Sequence, residues 1–344
     1  MINTTYYQDL TKMNTFGMKV KARCFMEYDS VADLVDIEFE ELARPVLHIG
    51  GGSNLLFTDD FKGTVLHSKI NFIEILEDGS DVLVSVGAGV VFDDFCAWAA
   101  KEGLWGVENL SYIPGEVGAS AVQNIGAYGV EVKDVIRTVY CYDTVEEEFV
   151  KFDVEECEYG YRDSVFKDPE VKGRYVVTHV VFALSRTPQP RLDYGHLRDA
   201  VMTAGSELTP ALIRRVIIKI RKEKLPEPSV MGSAGSFFKN PVITAEHFAR
   251  MEAAAKAELG SDYKVPHYDL PDGTVKVPAA WLIEQCGWKG RRSGGAAVYD
   301  KQPLVIVNYT GDAYPEEIVG LERRIIASVK SKFDIDLHPE VEHI

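Results

Sequence analysis

The sequence has little positive charge relative to negative charge, and it has no long apolar run. Its 344 residues include 37 lysines and arginines against 53 aspartates and glutamates, a formal net charge of −16. This excess of acid argues against nucleic acid as a partner, because few cations remain to neutralise phosphates. It does not exclude a small anionic ligand held by a few local cations. No stretch approaches the ~18 consecutive apolar residues of a membrane helix, so we expect no membrane insertion.

Cysteine is scarce, and histidine is not spaced as in common metal sites. The five cysteines are odd in number and form no C-x-x-C pair. We expect reduced, mostly buried thiols rather than disulfides or zinc ligands. The eight histidines show neither H-x-x-x-H nor H-E-x-x-H spacing, so the sequence predicts no metal centre.

The N-terminal residues lack the basic and apolar regions of a secretory signal, so we expect a cytoplasmic protein. Hydrophobic residues make up 46% of the chain and charged residues 26%, as in ordinary globular proteins. The length indicates two or three domains.

Hydrophobic patterning predicts mostly strands in the first half of the chain. Residues 72–76 and 81–86 alternate around Asp78-Gly79, which indicates a hairpin. One helix is expected from Phe92, ending at the glycine cap Gly103. Further strands are predicted at residues 45–49, 139–142 and 175–182.

The second half is expected to be more helical. Thr209-Pro210 is a typical helix start, and that helix should run to Lys224, before the two prolines of residues 225–228. A helix at 244–259, a strand at 304–308 and a last helix from Pro315 follow. The alternating residues 333–337 are expected to pair as a strand.

Four segments have the residue types of a ligand site. Residues 50–54 (GGGSN) follow an apolar strand and could hold a pyrophosphate. Residues 113–129 contain four glycines and few charges, which is typical of a backbone that runs close to a ligand. Arg162, in residues 159–164, could clamp a carboxylate or stabilise an oxyanion. Ser236 follows Ala-Gly and precedes two phenylalanines, and could act as a positioned proton donor.

Each segment also has a plainer interpretation. The glycine segments could be tight or buried turns without a ligand. Arg162 could form a surface salt bridge with Asp163, and Ser236 could be a cap or turn serine. Residues 50–54 are not a Walker A loop, because no Gly-Lys-Ser/Thr follows.

The order of the segments carries more information than any one of them. NTFG at 14–17 and GGGSN precede IPG-x-VG-x₅-QNIGAYG, GYRDS-x-FK and GSFFKNP. With AWLIEQC (280–286), GGAAV (294–298) and PEV (339–341), this order closely resembles the UDP-N-acetylenolpyruvoylglucosamine reductase family. The resemblance extends from Asn14 to Glu340.

The resemblance implies an α+β fold: a two-subdomain FAD-binding fold of the vanillyl-alcohol-oxidase (PCMH) type, plus a C-terminal α+β substrate domain. The implied divisions are FAD-binding subdomain 1 at 1–70, completed by 333–344, subdomain 2 at 71–224, and the substrate domain at 225–332. The glycine loop offers no histidine for covalent attachment except the preceding His48, so FAD is expected to be non-covalent. We also expect a monomer.

The implied reaction is the NADPH-dependent reduction of the enolpyruvyl ether of UDP-N-acetylglucosamine to UDP-N-acetylmuramate, for peptidoglycan precursor synthesis. The resemblance implies hydride transfer from flavin N5 to C3, stabilisation of the resulting charge by Arg162 and Glu340, and protonation of C2 by Ser236. One alternative is a flavin oxidase or dehydrogenase of the same fold with another small substrate. Another is a non-enzymatic nucleotide-binding protein.

The resemblance also assigns binding residues. Those implied for FAD are Gly50, Gly51, Gly52, Ser53, Asn54, Ile113, Pro114, Gly115, Gly118, Gly126 and Arg162. Those implied for the substrate are Tyr128, Tyr161, the lid residue Tyr194, Lys224 and Asn240. Glu116 departs from the small or polar residue that the family pattern leads us to expect. The basic residues of the helix before Lys224 are mostly expected to form a solvated face.

Overall fold

The structure is a computed structural model that describes all 344 residues. The backbone divides into two units. The first comprises Met1–Leu10, Lys21–Gly52 and Asp60–Glu223, and the second comprises Thr11–Val20, Ser53–Asp59 and Lys224–Ile344. The predicted division into 1–70, 71–224 and 225–332 stays a prediction.

The chain forms strands and helices throughout both units. The strands are β1 (Ile2–Asp9), β2 (Lys21–Tyr28), β3 (Val46–Ile49), β4 (Leu55–Leu56), β5 (Phe61–Ser68), β6 (Ile73–Asp78), β7 (Val82–Gly87), β8 (Gly126–Ala127), β9 (Val130–Glu131), β10 (Ile136–Asp143), β11 (Glu148–Asp153), β12 (Tyr175–Leu184), β13 (Gly232–Ser236), β14 (Val242–Thr244), β15 (Tyr268–Asp269), β16 (Thr274–Lys276), β17 (Arg292–Ser293), β18 (Ala296–Val298), β19 (Val305–Asn308) and β20 (Glu342–His343). The helices are α1 (Val31–Val35), α2 (Phe92–Lys101), α3 (Val117–Gln123), α4 (Leu197–Ala204), α5 (Pro210–Lys224), α6 (Ala245–Leu259), α7 (Ala279–Gln285) and α8 (Pro315–Phe333).

The first unit contains two main sheets. The smaller has the order β1-β2-β5-β3, in which β2 and β3 both run parallel to β5. Its parallel register places Glu27 of β2 and Ile49 of β3 on either side of His67 of β5. Because β3 ends at Ile49, the glycine loop leaves the sheet beside His67.

The larger sheet of the first unit is antiparallel, with the order β11-β10-β12-β7-β6. Strands β6 and β7 confirm the hairpin expected around Asp78-Gly79. Helix α2 buries Phe92 and Phe95 in the core of this sheet, where the Phe95 ring lies 4.7 Å from that of Phe182. The predicted glycine after α2 is confirmed, since Gly103 has φ +71°.

The second unit is built around the sheet β13-β19-β18-β17 and a small sheet β14-β16-β15. The helix expected at residues 244–259 is confirmed as α6, and Thr244 caps it by accepting the backbone N–H of His247. Helix α8 begins at Pro315 and buries the apolar face that the sequence indicates. The predicted start of α5 is confirmed as well, because the Thr209 hydroxyl accepts the Leu212 N–H.

The expected strand at residues 333–337 is wrong. Helix α8 continues to Phe333, and Asp334, with φ +55°, ends it in the left-handed conformation. Ile335 and Leu337 are buried alternately, as in a strand, but they join no ladder. The C-terminal pairing is made instead by β20, which runs parallel to β4.

The state of the cysteines is as the sequence predicts, with free and mostly buried thiols. All five cysteines are free, and four are buried. None of the helices has the length and apolar character needed to cross a membrane.

Candidate active site

The loop after β3 makes a close main-chain approach to the start of α3. A Cβ atom at Gly51 would lie 3.4 Å from Gly115 Cα, and one at Gly50 would lie 3.1 Å from Ala119 Cβ. Gly52 has φ +60°, a conformation that side chains disfavour. Two glycine-rich segments that are far apart in the sequence therefore meet in the first unit.

These residues fit the FAD that the resemblance implies. The glycines of the two segments form a cradle that side chains would fill, which is how a backbone approaches a pyrophosphate. At the end of α3, Gln123 Nε2 is buried without a hydrogen-bond partner, while Gln123 Oε1 accepts from Lys167 Nζ at 3.0 Å. A buried donor without a protein acceptor is expected where a polar ligand completes the site.

The beginning of the 113–129 segment is held from two sides. The Tyr112 N–H donates to Asp93, which pairs with Arg214 at 2.9 Å, and the Tyr112 carbonyl accepts from Arg221 Nε at 3.0 Å. Burial raises the pKa of Asp93, but the bonds from Arg214 and Tyr112 outweigh it, so the net pKa lies below its ordinary value. The solvated basic face expected for most basic residues of α5 is confirmed for the exposed Arg215, Lys219, Lys222 and Lys224, whereas Arg214 and Arg221 bind Asp93 and the Tyr112 carbonyl.

The middle of the same segment is a helix. Helix α3 was not predicted, because residues 117–123 contain small residues rather than an amphipathic stripe. Gly118 packs against Ala88 in the first unit, which gives this glycine a packing role of its own. Ile113 and Gly115 are half-buried, and Pro114 is exposed.

Arg162 lies against the main chain that follows α3. Its Nη2 donates to the Gly126 carbonyl at 2.7 Å, and its Nη1 donates to the Asn124 carbonyl at 3.3 Å. A Cβ at Gly126 would lie 2.8 Å from Nη1, so only glycine permits this approach. The guanidinium also lies 5.2 Å from the centroid of the Tyr161 ring. The structure thus joins Arg162, Gly126 and Tyr161 in one cluster.

Tyr128 and Tyr194 form a second cluster in the first unit. Their rings contact edge to face, with centroids 5.9 Å apart, and Tyr194 is 45% exposed. Burial raises the pKa of Tyr128. Tyr194 therefore lies on a surface segment, where it rests on a better-buried tyrosine.

Ser236 and Glu340 lie on adjacent segments of the second unit. Ser236 is exposed at the end of β13, after a bulge in which Gly235 has φ +69°. The Glu340 N–H donates to the Phe237 carbonyl at 2.8 Å. Phe238 and Pro339 pair through an isolated antiparallel β-bridge. Phe237, which follows Ser236 in the sequence, therefore accepts a hydrogen bond from the main chain of Glu340.

Asn54 fixes the other side of Glu340. Asn54 Nδ2 donates to the main-chain carbonyl of Glu340 at 3.1 Å, and the main-chain carbonyl of Asn54 accepts the Glu342 N–H at 2.9 Å. Of the predicted pyrophosphate loop, Ser53 and Asn54 belong to the second unit, whereas Gly50–Gly52 belong to the first.

The two remaining substrate candidates lie in the second unit. Lys224 is exposed at the last position of α5. Asn240 has a structural role, because its Oδ1 accepts the Ala279 N–H at the start of α7, at 2.9 Å. Its position therefore has a capping explanation beside the proposed binding role.

Sequence reasoning missed one charged cluster that borders the glycine loop. His67 contacts Glu27 and Glu116, and of the three only Glu116 belongs to a segment that indicates a site, residues 113–129. The signal that could have found them is the pairing register of β2 and β5, which a single sequence does not show.

Comparison with known protein families accounts for both units. Residues 23–149 match an FAD binding domain, and residues 227–344 match the C-terminal domain of UDP-N-acetylenolpyruvoylglucosamine reductase. A crystal structure of UDP-N-acetylenolpyruvylglucosamine reductase from Thermus caldophilus is similar in fold, with a TM-score of 0.68 at 22% identity. It covers 100% of this chain and 98% of that one. The predicted fold class is confirmed as an α+β FAD-binding fold with a C-terminal α+β domain.

The sequence is closer to reductases of other bacteria. It is 51% identical to the UDP-N-acetylenolpyruvoylglucosamine reductase of Bacteroides fragilis, over 97% of this chain and 98% of that protein. It is 45% identical to the reductase of the same name from Porphyromonas gingivalis, over 97% of both chains. The chain therefore belongs to the UDP-N-acetylenolpyruvoylglucosamine reductase family and is an oxidoreductase that uses FAD.

Proposed function

We propose that this enzyme reduces the enolpyruvyl ether of UDP-N-acetylglucosamine to UDP-N-acetylmuramate, with NADPH as the source of electrons. The observation that carries the proposal is the main-chain bond from Glu340 to Phe237, the residue after the exposed Ser236, which brings the two backbone segments together. The C-terminal family match covers residues 227–344, which include Ser236 and Glu340, and it argues against a flavin oxidase with an unrelated substrate domain.

Reduction of the enolpyruvyl double bond adds a hydride to C3 and a proton to C2. FAD, when bound, would supply the hydride and would accept it from NADPH. We place the pyrophosphate at Gly50–Asn54 and the rest of the cofactor along the Ile113–Gly126 segment.

Arg162 and Glu340 are proposed to stabilise the charge that follows hydride addition. Negative charge forms on C2 and spreads into the adjacent carboxylate, so a fixed cation lowers the energy of the transition state. The carbonyls of Gly126 and Asn124 hold the plane of the Arg162 guanidinium, so little reorganisation is needed. Glu340 must be protonated or act beside Arg162, because a separate carboxylate would repel the enolate.

Ser236 is proposed to protonate C2. A serine hydroxyl has a high pKa and can donate only to a strongly basic centre, and an enolate carbon is such a centre. The bulge lies between Ser233 and Ser236, and Ser236 is exposed at the last pair of the ladder, while the following Phe237 and Phe238 are buried. Tyr128, Tyr161, Lys224 and Asn240 are proposed to contact the substrate.

The proposal predicts a yellow protein with two separable half-reactions. NADPH should bleach the flavin absorbance anaerobically, and the enolpyruvyl substrate should restore it with formation of UDP-N-acetylmuramate. Anaerobic stopped-flow absorbance measures both steps, and mass spectrometry identifies the product. A reduced enzyme that dioxygen reoxidises rapidly, but that the enolpyruvyl substrate does not, would support the oxidase alternative.

Tyr194 is proposed to cover the substrate diphosphate as a lid. Replacing Tyr194 by phenylalanine removes only the hydroxyl, so the ring contact with Tyr128 should persist. We expect weaker substrate binding, by about tenfold for a lost hydrogen bond to a charged group, with flavin reduction close to wild type. Substrate titration of the oxidised enzyme measures this effect. An unchanged dissociation constant would make Tyr194 an ordinary surface aromatic.

A further inference from the structure

His67 joins two carboxylates in the first unit. Its Nδ1 lies 3.0 Å from Glu27 Oε1, and its Nε2 lies 2.9 Å from Glu116 Oε1. The side chains of His67 and Glu116 are only 6% and 12% exposed. Both ring nitrogens therefore face carboxylate oxygens in a largely buried setting.

The fold brings this cluster to the edge of the glycine loop. Ile49, the register partner of His67, is followed directly by Gly50. Glu116 precedes α3, and its second oxygen, Oε2, lies 3.3 Å from the Cβ position of Gly50. A negative charge on Glu116 is thus adjacent to the loop at which we place an anionic pyrophosphate.

The two contacts favour a charged imidazole. A ring whose two nitrogens both contact carboxylates has both N–H donors only when it is protonated. Burial lowers the pKa of His67, but the bonds and charges of Glu116 and then Glu27 outweigh it, so the net pKa is raised. When it is protonated, His67 therefore offsets the carboxylate beside the loop.

The other titratable groups around the cluster do not replace this charge. Lys69 Nζ lies 4.0 Å from Glu27, and its side chain is half-exposed. Burial raises the pKa of Tyr28 far above neutrality, and burial lowers the pKa of His48 to about 4. Tyr28 and His48 are both neutral near pH 7, so His67 is the cation that contacts Glu116.

We propose that His67 is a positioning residue for FAD: its imidazolium neutralises Glu116 and holds it in place, so that the glycine loop accepts the cofactor's pyrophosphate. This inference rests on the proposed placement of FAD. When His67 is neutral, the cluster gains one negative charge next to the loop. An uncompensated charge at this range is expected to lower the affinity for FAD by about tenfold.

The proposal predicts a pH dependence with a defined sign. A pyrophosphate nearby favours the protonated imidazole, so FAD binding and His67 protonation support each other. Because the folded pKa of His67 is raised, affinity should be full below that pKa and should fall as pH rises through it. The change should lie above the ordinary histidine value of about 6.5.

The test measures release of FAD from purified holoenzyme on dilution, by the recovery of flavin fluorescence, over a pH series. His67→Gln should raise the dissociation constant about tenfold at neutral pH. Glu116→Gln should bind FAD at least as tightly as wild type and should lose the pH dependence. The double variant should restore affinity to the level of Glu116→Gln. Asp78→Asn, in an exposed ion pair with Arg186, is the matched control and should behave as wild type.

Three results would overturn the inference. They are wild-type affinity in a folded His67→Gln variant, a Glu116→Gln variant that loses as much affinity as His67→Gln, and a wild-type affinity that does not change with pH. If His67→Gln does not fold, as judged by circular dichroism, the pH series of wild type and Glu116→Gln still decides. A wild-type protein that holds no FAD at all would instead contradict the proposed function.

Discussion

Replacing Ser236 by alanine should slow reoxidation of the reduced enzyme by the enolpyruvyl substrate by about 10²–10⁴-fold, the contribution of a general acid. FAD content and reduction by NADPH should stay close to wild type, because neither needs a proton at substrate C2. The substitution removes only an exposed hydroxyl, and the pairing of residue 236 with Val305 uses the main chain. Single-turnover stopped-flow of each half-reaction measures the difference.

Ser229 offers a matched control for this experiment. It is an exposed serine of the same unit, and its hydroxyl lies 3.5 Å from Glu227. Ser229→Ala should leave both half-reactions unchanged. Equal slowing of both half-reactions in Ser236→Ala would show that the serine is structural, and the proton would then have another source.

The local structure around these residues could largely be predicted from the sequence. Turn and cap residues act over a few positions, so Asp78-Gly79, Thr209-Pro210 and Thr244 were sufficient to predict their hairpin and helices. The order of the motifs identified the family, because each motif contributes independently. The turn and cap signals involve residues that are close in the sequence, and the family signal comes from several motifs that follow one another along the chain.

Contacts that depend on tertiary pairing were not predictable in the same way. Residues 333–337 alternate between apolar and polar side chains, as a strand would. Helix α8 nevertheless extends to Phe333, and the buried residues after it pack without pairing in a sheet. His67 and Glu116 are 49 positions apart, and only the assembly of the sheet with the start of α3 joins them. In the sequence, Arg214 resembles an exposed residue of a helix, because its ion pair with Asp93 forms only in the folded chain.

The packing of the C-terminal residues determines which substitution can test Glu340. Chain ends are usually frayed, and truncation is often tolerated. Here β20 pairs with β4, and Thr58 bonds to the carbonyl of Ile344 through both its N–H and its hydroxyl. Removal of residues 339–344 would therefore disturb packing as well as chemistry. A single side-chain substitution separates the two.

Glu340→Gln keeps the size of the side chain and removes its acid function. The bonds that Glu340 makes with Phe237 and Asn54 use main-chain atoms of residue 340 and are kept in the variant, so we expect intact folding and normal FAD content. Reduction of the enolpyruvyl substrate should slow by about 10²–10³-fold, since a group that stabilises developing charge is lost. NADPH-dependent flavin reduction should be largely spared. Glu342→Gln, two residues later, is the control and should leave both steps near wild type. Wild-type reduction of the enolpyruvyl substrate by a folded Glu340→Gln enzyme would remove Glu340 from the proposed machinery and leave charge stabilisation to Arg162.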